Sequence, residues 1–482
     1  MILDSNSASG GYDIDNSVAL NRQDNETLSH TYDSDPTNLK KNTFSIWFKR
    51  NELDQNQGLY QFGDDASGDH SYIRFTRETF NGSNGFLRGK VNGTGVVFLN
   101  TATQFRDTSG WYHLVVVWDT TQSTASERLN VYINGVKQTD FATDNRSSVI
   151  PQNYDTPHGE NGKFVLIGEG VYDMSTYVAE THFVDGQALT ASDFGEFDSD
   201  SGIWKPKEYT GTYGNNGFYL DFKNASNLGE DQSGNNHDFT LNNVSSTNQS
   251  NDTPTNNFCT PLLIQPYNST DSINFTKGNT KLTTASGTGW RTSMSTMSLS
   301  RGKWYFEAKH TGTIDGDGIM TSIVPTARFG NSAYASFYGG QSSGDGLGWY
   351  WDSKRFRYDD GSAISPPTNT VNSGDILSIA LDMDNNYVYS RINGGAWHNN
   401  GSADGDPTSG SSGTGGFAVA DEPHMICTSM YHPNKDFFVN YGGYNDFTVS
   451  SAESDANGYG TFEYAPPSGY YAICSKNLAE YG

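Results

Sequence analysis

Short segments in which apolar and polar residues alternate recur along the whole chain. Residues 43–50, 71–76 and 302–308 are examples. Neighbouring side chains of a β-strand point to opposite faces of a sheet, so each segment can bury one face and leave the other in water. Polar stretches rich in Gly, Asn and Ser separate the segments, as tight turns require. The pattern predicts many short antiparallel strands and little helix.

The length of 482 residues indicates more than one domain. We predict an all-β fold of two antiparallel β-sandwich, jelly-roll-like domains in tandem, over residues 1–242 and 270–450. Residues 243–269 are predicted to be a linker and a strap, because they begin with a Ser-, Thr- and Asn-rich stretch without periodicity. Residues 451–482 carry many aromatic side chains, so we expect this C-terminal segment to pack on the second domain as strands.

The formal net charge of −25 restricts the partners of the chain. A field of this sign repels nucleic-acid phosphates and anionic lipids. No apolar run approaches the length of a membrane-spanning helix, so no membrane insertion is expected. The N-terminus lacks the basic and apolar regions of a signal peptide, so we expect the chain to fold where it is made or to leave by a route that does not read its N-terminus. Cys259, Cys427 and Cys474 give no disulfide framework and are predicted to be buried apolar side chains.

The first half of the chain carries an ordered series of strand motifs. They are FSIWFKR at 44–50, GWYHLVVVWD at 110–119, LNVYINGV at 129–136 and VAETHFVDGQALTASDF at 178–194. This order resembles the laminin-G-like, concanavalin A-like lectin/glucanase sandwich over roughly residues 10–225. The resemblance implies a fold and leaves the function open, because one fold serves many functions.

The second half carries a different series. Its motifs are GKWYFEA at 302–308, GLGWYWDS at 346–353, SGDILSIALDMDNNYVYSRING at 373–394 and HPNKDFFVNYG at 432–442. This series resembles the SPRY domain over roughly residues 270–450. Tyr441 stands where that family usually has Phe, and Ser378 where it usually has Gly; both residues suit a strand. The resemblance implies partner binding through loops at one end of the sandwich, without catalysis.

Two further stretches resemble one group of proteins across nearly the whole chain. They are residues 185–222 and the motif PSGYYAICSKNL at 467–478. Both are similar to tail-fibre-like or structural proteins of tailed phages of marine bacteria, which combine a laminin-G-like domain with a SPRY domain. The resemblance implies a virion-surface location after assembly in the host cytoplasm.

Candidate catalytic carboxylates lie in turn-rich sequence. Glu196, Asp198 and Asp200 stand among Ser and Gly residues, and Asp315 and Asp317 alternate with glycines. Glycosidases instead hold paired carboxylates on one face of the fold. The sequence contains no HExxH, Walker or GxSxG motif. We therefore expect no enzymatic activity, and we expect His113, on an apolar strand, to be a satisfied structural residue.

Candidate binding residues are of two kinds. Asp231, Asn235 and Asp238 could offer oxygens to Ca²⁺, although a tight turn explains the same residues; no other cofactor is expected. Aromatic residues in or beside turns could stack on sugar rings, although core packing explains most of them. These glycan or partner-binding candidates are Tyr334, Tyr338, Trp349, Trp351, Trp397, His398 and Tyr431.

The leading functional hypothesis is a phage virion surface protein, a fibre or appendage subunit with lectin-like modules that adhere to host-surface polysaccharide. The alternative is a purely structural capsid-decorating or tail-assembly protein that contacts other virion proteins. A depolymerase comes third. We expect a homo-oligomer, with a trimer favoured, because several weak sites presented together gain avidity.

Overall fold

The computed structural model divides the chain into two compact units. The N-terminal unit spans Ser5–Asn257 and the C-terminal unit contains Phe258–Gly482. The structure describes residues 11–53, 55–63, 69–76, 84–91, 94–168, 172–263, 273–284, 290–312, 318–329, 346–351, 355–357, 371–399, 402–433, 435–444, 446 and 449–482.

The regular secondary structure described in the N-terminal unit is almost entirely β-strand. They are β1 (Ser17–Leu20), β2 (Thr27–Thr31), β3 (Lys41–Arg50), β4 (Gln57–Phe62), β5 (His70–Phe75), β6 (Asn84–Val91), β7 (Thr94–Gln104), β8 (Tyr112–Asp119), β9 (Leu129–Ile133), β10 (Val136–Lys137), β11 (Phe141–Asp144), β12 (Phe164–Ile167), β13 (Thr176–Asp185), β14 (Gly195–Phe197), β15 (Trp204–Pro206), β16 (Phe218–Leu220), β17 (Thr240–Asn242) and β18 (Gln249–Ser250). The helical segments are α1 (Arg146–Val149) and the 3-10 turns Arg22–Asp24, Ala125–Glu127, Ala191–Asp193 and Ser246–Asn248.

Two eight-stranded sheets make up this unit. The first has the order β10-β9-β8-β3-β13-β1-β18, with β16 beside β13, and the second has the order β11-β7-β6-β5-β4-β12-β2-β17. Phe44 and Val116 of the first sheet pack with Tyr60 and Ile73 of the second in one buried core. Each large apolar side chain buried in this way contributes roughly 1.5–3 kcal/mol, so the paired apolar faces hold the sandwich together.

Residues 243–257 differ from the linker that their composition predicts. β18 pairs antiparallel with β1 at an edge of the first sheet. The fully buried Asp252 accepts hydrogen bonds from Lys49 Nζ at 2.8 Å and from Trp111 Nε1 at 3.0 Å. The segment is therefore an anchored edge of the N-terminal unit, because a buried ion pair and a strand pairing hold it in place.

The C-terminal unit is also built of strands. They are β19 (Ile273–Thr276), β20 (Lys281–Thr284), β21 (Arg291–Met294), β22 (Lys303–Thr311), β23 (Ile319–Pro325), β24 (Leu347–Tyr350), β25 (Arg355–Arg357), β26 (Ile376–Asp382), β27 (Tyr387–Ile392), β28 (Trp397–Asn399), β29 (Ser402–Gly405), β30 (Phe417–Ala418), β31 (His424–Met430), β32 (Asp436–Asn440) and β33 (Tyr471–Ala472). The helical segments are α2 (Ser475–Tyr481) and the 3-10 turns Thr326–Arg328, Pro407–Ser409 and Ser412–Thr414.

The C-terminal unit is a second sandwich. An eight-stranded sheet has the order β19-β20-β32-β22-β26-β27-β30, with β33 beside β22, and a five-stranded sheet has the order β21-β31-β23-β24-β25. Phe306 and Leu377 of the larger sheet pack with Ile323 and Trp349 of the smaller one. The prediction of an all-β fold with two mainly antiparallel sandwiches is therefore confirmed.

The strap and the C-terminal segment cover the outer face of the larger sheet. Phe258 forms a bridge with Cys474, and β33 pairs parallel to β22. Phe462 and Cys474 are fully buried and pack in one cluster with Phe258 and Tyr305. We expected this segment to form strands only, but it ends in helix α2, whose Lys, Leu, Ala and Glu residues favour helix.

The cysteines are buried, as the sequence predicts. Cys259, Cys427 and Cys474 are each at most 2% exposed. Burial raises the pKa of the Cys427 thiol to about 12, so this thiol stays protonated at neutral pH. Among the described residues, no helix is both long enough and apolar enough to cross a membrane.

Candidate functional site

Trp349 and Trp351, two sequence-predicted glycan contacts, are core residues instead. Trp349 is 0% exposed and Trp351 is 1% exposed. Trp349 lies opposite Thr321 in the pairing of β24 with β23, and Trp351 Nε1 donates a hydrogen bond to Thr321 Oγ1 at 3.1 Å. Their rings fill the space between the sheets, so neither ring can stack on a sugar.

His398 and Trp397, two further predicted glycan contacts, are held by contacts within the C-terminal unit. His398 is 4% exposed and its ring stacks near Trp349, with 6.3 Å between ring centroids. Burial lowers the pKa of His398 to about 4, so the imidazole is neutral at pH 7. Trp397 is half-buried, and the Arg391 guanidinium lies 4.6 Å from its ring centroid. Arg391 Nη2 donates to Ala465 O at 2.7 Å, which ties this face of Trp397 to the C-terminal segment.

Tyr431 lies in a half-buried aromatic cluster at the end of β31. The rings of Trp290 and His432 lie 5.4 Å and 5.0 Å from the Tyr431 ring. Tyr334 and Tyr338 lie outside the described residues. The predicted aromatic candidates that are described therefore divide between the core and separate half-buried clusters.

The predicted calcium ligands form a hydrogen-bonded turn. Asp231 Oδ1 accepts bonds from the backbone N–H groups of Tyr219 and Ser233, and its Oδ2 accepts from the N–H of His237. Asn235 Nδ2 donates to the Gly214 and Gly217 carbonyls, and Asp238 Oδ1 accepts from the Asp231 N–H. The side chains hold the turn together, as the tight-turn interpretation describes, and calcium binding by these three residues stays a prediction. Within the described ranges, no group of three or more His, Cys, Asp or Glu side chains could hold a metal ion.

The carboxylates considered for catalysis are held by local contacts. Lys205 Nζ lies 3.4 Å from Glu196 Oε1 and 3.3 Å from Asp198 Oδ2. Hydrogen bonds from Ser201 lower the pKa of Asp198 to about 2, so this carboxyl stays ionised. Asp315 and Asp317 lie outside the described residues.

A buried carboxylate that the sequence did not single out lies on β13. Glu180 adopts a left-handed φ of 45° at a β-bulge and is 5% exposed. The hydroxyls of Tyr12 and Tyr219 donate to its two oxygens at 3.1 Å and 2.8 Å, and His182 Nε2 lies 3.4 Å away. Burial raises the pKa values of both tyrosines, so the hydroxyls remain donors. Glu180 therefore clamps the N-terminal segment to β13 and β16.

A stacked row of side chains lies on the outer face of the second N-terminal sheet. The Arg74 guanidinium carbon lies 3.8 Å from the Tyr72 ring centroid and 4.4 Å from that of Tyr172. The His70 ring stacks on Tyr72 at 5.7 Å with 11° between planes. Tyr172 is 36% exposed, so the row reaches solvent. We call His70, Tyr72, Arg74 and Tyr172 the Tyr–Arg ladder.

Strand geometry explains the ladder. Ile73 points into the core, so its neighbours Tyr72 and Arg74 point to the outer face. Gly58 lies opposite Arg74 in the pairing of β4 with β5, and its N–H donates to the Tyr172 carbonyl at 2.6 Å. Because Gly58 carries no side chain, the Tyr172 ring meets the guanidinium across β4. Cation–π contacts contribute about 0.5–1 kcal/mol each at exposed sites, which favours this stacked arrangement.

Comparison with known proteins supports the assignment of the first sandwich. Residues 21–169 match the family model of the concanavalin A-like lectin/glucanases superfamily, and this range contains three of the four ladder residues. No curated protein matches the sequence.

Solved structures that are similar to this chain share little sequence with it and cover only part of it. The SPRY domain of human HERC1 is 12% identical, with a TM-score of 0.24, over 33% of this chain and 87% of that domain. A native heptameric SAP-like pentraxin from Limulus polyphemus is 16% identical, with a TM-score of 0.27, over 37% of this chain and 80% of the pentraxin. A further human SPRY domain is 12% identical, with a TM-score of 0.23, over 33% of this chain and 90% of that domain. Such distant similarities do not bear on function.

Proposed function

We propose that this chain is a non-catalytic binding protein whose N-terminal sandwich adheres to glycans through the Tyr–Arg ladder. The ladder itself carries the proposal, because Tyr172 is exposed and Arg74 packs against both tyrosine rings. The apolar face of a sugar ring packs well on an aromatic surface. Rings that are already held in place lose little conformational freedom on binding, so a modest contact area suffices.

The carboxylates support a role without catalysis. Glu180 accepts hydrogen bonds from two tyrosine hydroxyls on its two oxygens, and Glu196 and Asp198 flank Lys205. A general acid or base needs a proton-transfer path to a reacting group, and these contacts occupy the carboxylates with structural partners. Binding alone is therefore the activity that the described residues support best.

The setting that we propose is the surface of a phage virion, where the chain would serve as a fibre or appendage subunit assembled in the host cytoplasm. The resemblance of residues 185–222 and 467–478 to marine-phage proteins supports this setting. We propose other virion proteins as partners and a homotrimer as the assembly, because three weak sites presented together gain avidity.

A purely structural role in capsid decoration or tail assembly is the second candidate. The half-buried cluster of Trp290, Tyr431 and His432 in the C-terminal unit favours it, because aromatic residues are enriched in protein–protein interfaces. Both roles can coexist in one chain, since the cluster and the ladder belong to different units.

A glycan array probed with the purified full-length chain tests the proposed function. We expect binding to host-derived polysaccharide with a dissociation constant on the order of millimolar per site or tighter, the range of weak single contacts. A parallel assay for new reducing ends should remain at background. Absence of binding at that concentration would refute glycan adhesion, and release of reducing ends would refute the non-catalytic assignment.

A further inference from the structure

The strands around the ladder contain no acidic residue. The chain has 55 Asp and Glu against 30 Lys and Arg, yet β4, β5, β6 and β7 contain no Asp or Glu at all. The same four strands contain Arg74, Arg88 and Lys90. In a chain of net charge −25, these four strands therefore differ in sign from the molecular average.

The three cations share a face with the tyrosines. Arg88 lies opposite Tyr72 in the pairing of β5 with β6, and Lys90 lies opposite His70. Directly paired residues of neighbouring strands point to the same face, so both cations flank the ladder. Arg88 is exposed and forms no ion pair with any described residue.

The acidic residue directly before β5 contacts Tyr154. Asp69 Oδ2 accepts a hydrogen bond from the Tyr154 hydroxyl at 2.6 Å. At an ionic strength of about 0.1 M, charges more than about 10 Å apart are largely screened. A ligand on β5 and β6 therefore responds mainly to the charges close to it, which include Arg74, Arg88 and Lys90, and only weakly to distant acidic residues.

We propose that this face selects acidic polysaccharides, in which uronate carboxylates or sulfate esters recur along the sugar chain. This inference rests on the proposed function and names its ligand class. A guanidinium pairs with a carboxylate or sulfate through two parallel hydrogen bonds, while the ladder supplies the stacking surface for the sugar ring.

Nucleic acid fits this face less well than a polyuronate does. Double-stranded DNA carries one charge per about 1.7 Å, whereas a polyuronate carries one charge per sugar. The three cations therefore neutralise a smaller share of the charge on nucleic acid than of the charge on a polyuronate.

The test compares matched polymers against the full-length chain. Polygalacturonate and its methyl ester differ only in charge, as do dextran sulfate and dextran; single-stranded DNA is the nucleic-acid control. The variants are Arg88→Gln and Arg88→Glu, with Lys207→Gln as a control that removes an exposed cation outside the sheets. Affinity is measured by calorimetry at about 50 mM and about 200 mM salt.

We expect one or both charged polymers to bind more tightly than their neutral partners and to weaken as salt rises. Arg88→Gln should weaken this binding about 3- to 10-fold, Arg88→Glu should weaken it further, and Lys207→Gln should not change it. Equal binding of neutral and charged polymers, with no effect of Arg88, would overturn the inference and leave glycan adhesion intact. Binding of no polysaccharide would overturn both, and equal binding of DNA would overturn the selectivity for sugar.

Discussion

Both ring nitrogens of the buried His113 have hydrogen-bond partners although the imidazole is neutral. Trp204 Nε1 can only donate, and it lies 3.0 Å from His113 Nδ1, so that nitrogen must be unprotonated. The proton therefore sits on Nε2, which lies 2.8 Å from Ser45 Oγ. Burial lowers the pKa of His113 to about 3, in agreement with the neutral tautomer. The sequence-based expectation that His113 is a satisfied structural residue is confirmed.

This neutral histidine predicts a pH dependence of stability. The unfolded state binds a proton near pH 6.5, whereas folded His113 does so only near pH 3, so stability falls as the pH drops between these values. The slope approaches about 1.4 kcal/mol per pH unit for each such histidine. His113→Asn, which cannot titrate there, should unfold in urea with a free energy that depends less on pH by that amount. Identical slopes for variant and parent between about pH 4.5 and 6 would contradict this prediction.

The predicted glycan contacts show where residue-level prediction fails. The motif GLGWYWDS correctly indicates a strand, and its alternation separates Trp349 and Trp351 from Tyr350. However, Tyr350 is also buried, at 1% exposed. When both faces of a strand are covered, alternation cannot tell which side chains remain accessible. Tyr172 is exposed, but the sequence did not indicate it as a site residue. Its ring contacts Arg74 because its backbone bridges to β4, and no local sequence pattern encodes that pairing.

At the scale of elements, the strands were predictable from the sequence, but the buried ion pair that holds residues 243–257 in place was not. The segments 43–50 and 302–308 correspond to β3 and most of β22, because apolar alternation dictates the buried face. Residues 243–257 lack that alternation and were assigned to a linker. Their anchor is Asp252, whose partner Lys49 is distant in sequence. Composition carries no information about a partner so distant in sequence, so the linker prediction for these residues was wrong.

The buried ion pair predicts a large loss of stability when one partner is removed. Lys49 and Asp252 both have side chains that are 0% exposed. Lys49→Met leaves Asp252 buried without its cation, which should cost about 3–5 kcal/mol in the unfolding free energy of the N-terminal unit. Lys40→Met is the matched control, because Lys40 pairs with Asp155 in the same unit with side chains 36% and 58% exposed. That exposed pair should contribute about 0–1 kcal/mol. Equal losses of unfolding free energy in the two variants, measured by urea unfolding, would contradict the conclusion that the buried ion pair holds residues 243–257 in place.

At the scale of the whole molecule, the two sandwiches and their order were predictable from strand motifs. The lectin/glucanase family match falls in the first sandwich, as the resemblance of residues 10–225 implies. Function was harder to predict from the sequence, because a β-sandwich fold does not fix the position of a functional site. The ladder is one row on one sheet that is exposed at Tyr172, and the surrounding strands differ from the rest of the chain chiefly in lacking acidic residues.

The whole-molecule claim is that this chain adheres to glycans through the ladder, and titration of ladder variants tests it most directly. Tyr172→Ala removes the exposed ring on which a sugar can stack, and Tyr72→Ala removes the ring that holds Arg74 in the ladder. Tyr132→Ala removes a half-buried tyrosine from β9 in the other sheet. We expect each ladder variant to bind a polysaccharide identified on the array about 5- to 10-fold more weakly, since an aromatic contact contributes about 1 kcal/mol. Tyr132→Ala should bind like the parent. Unchanged affinity in both ladder variants, with intact melting transitions, would show that the chain binds glycans elsewhere or not at all.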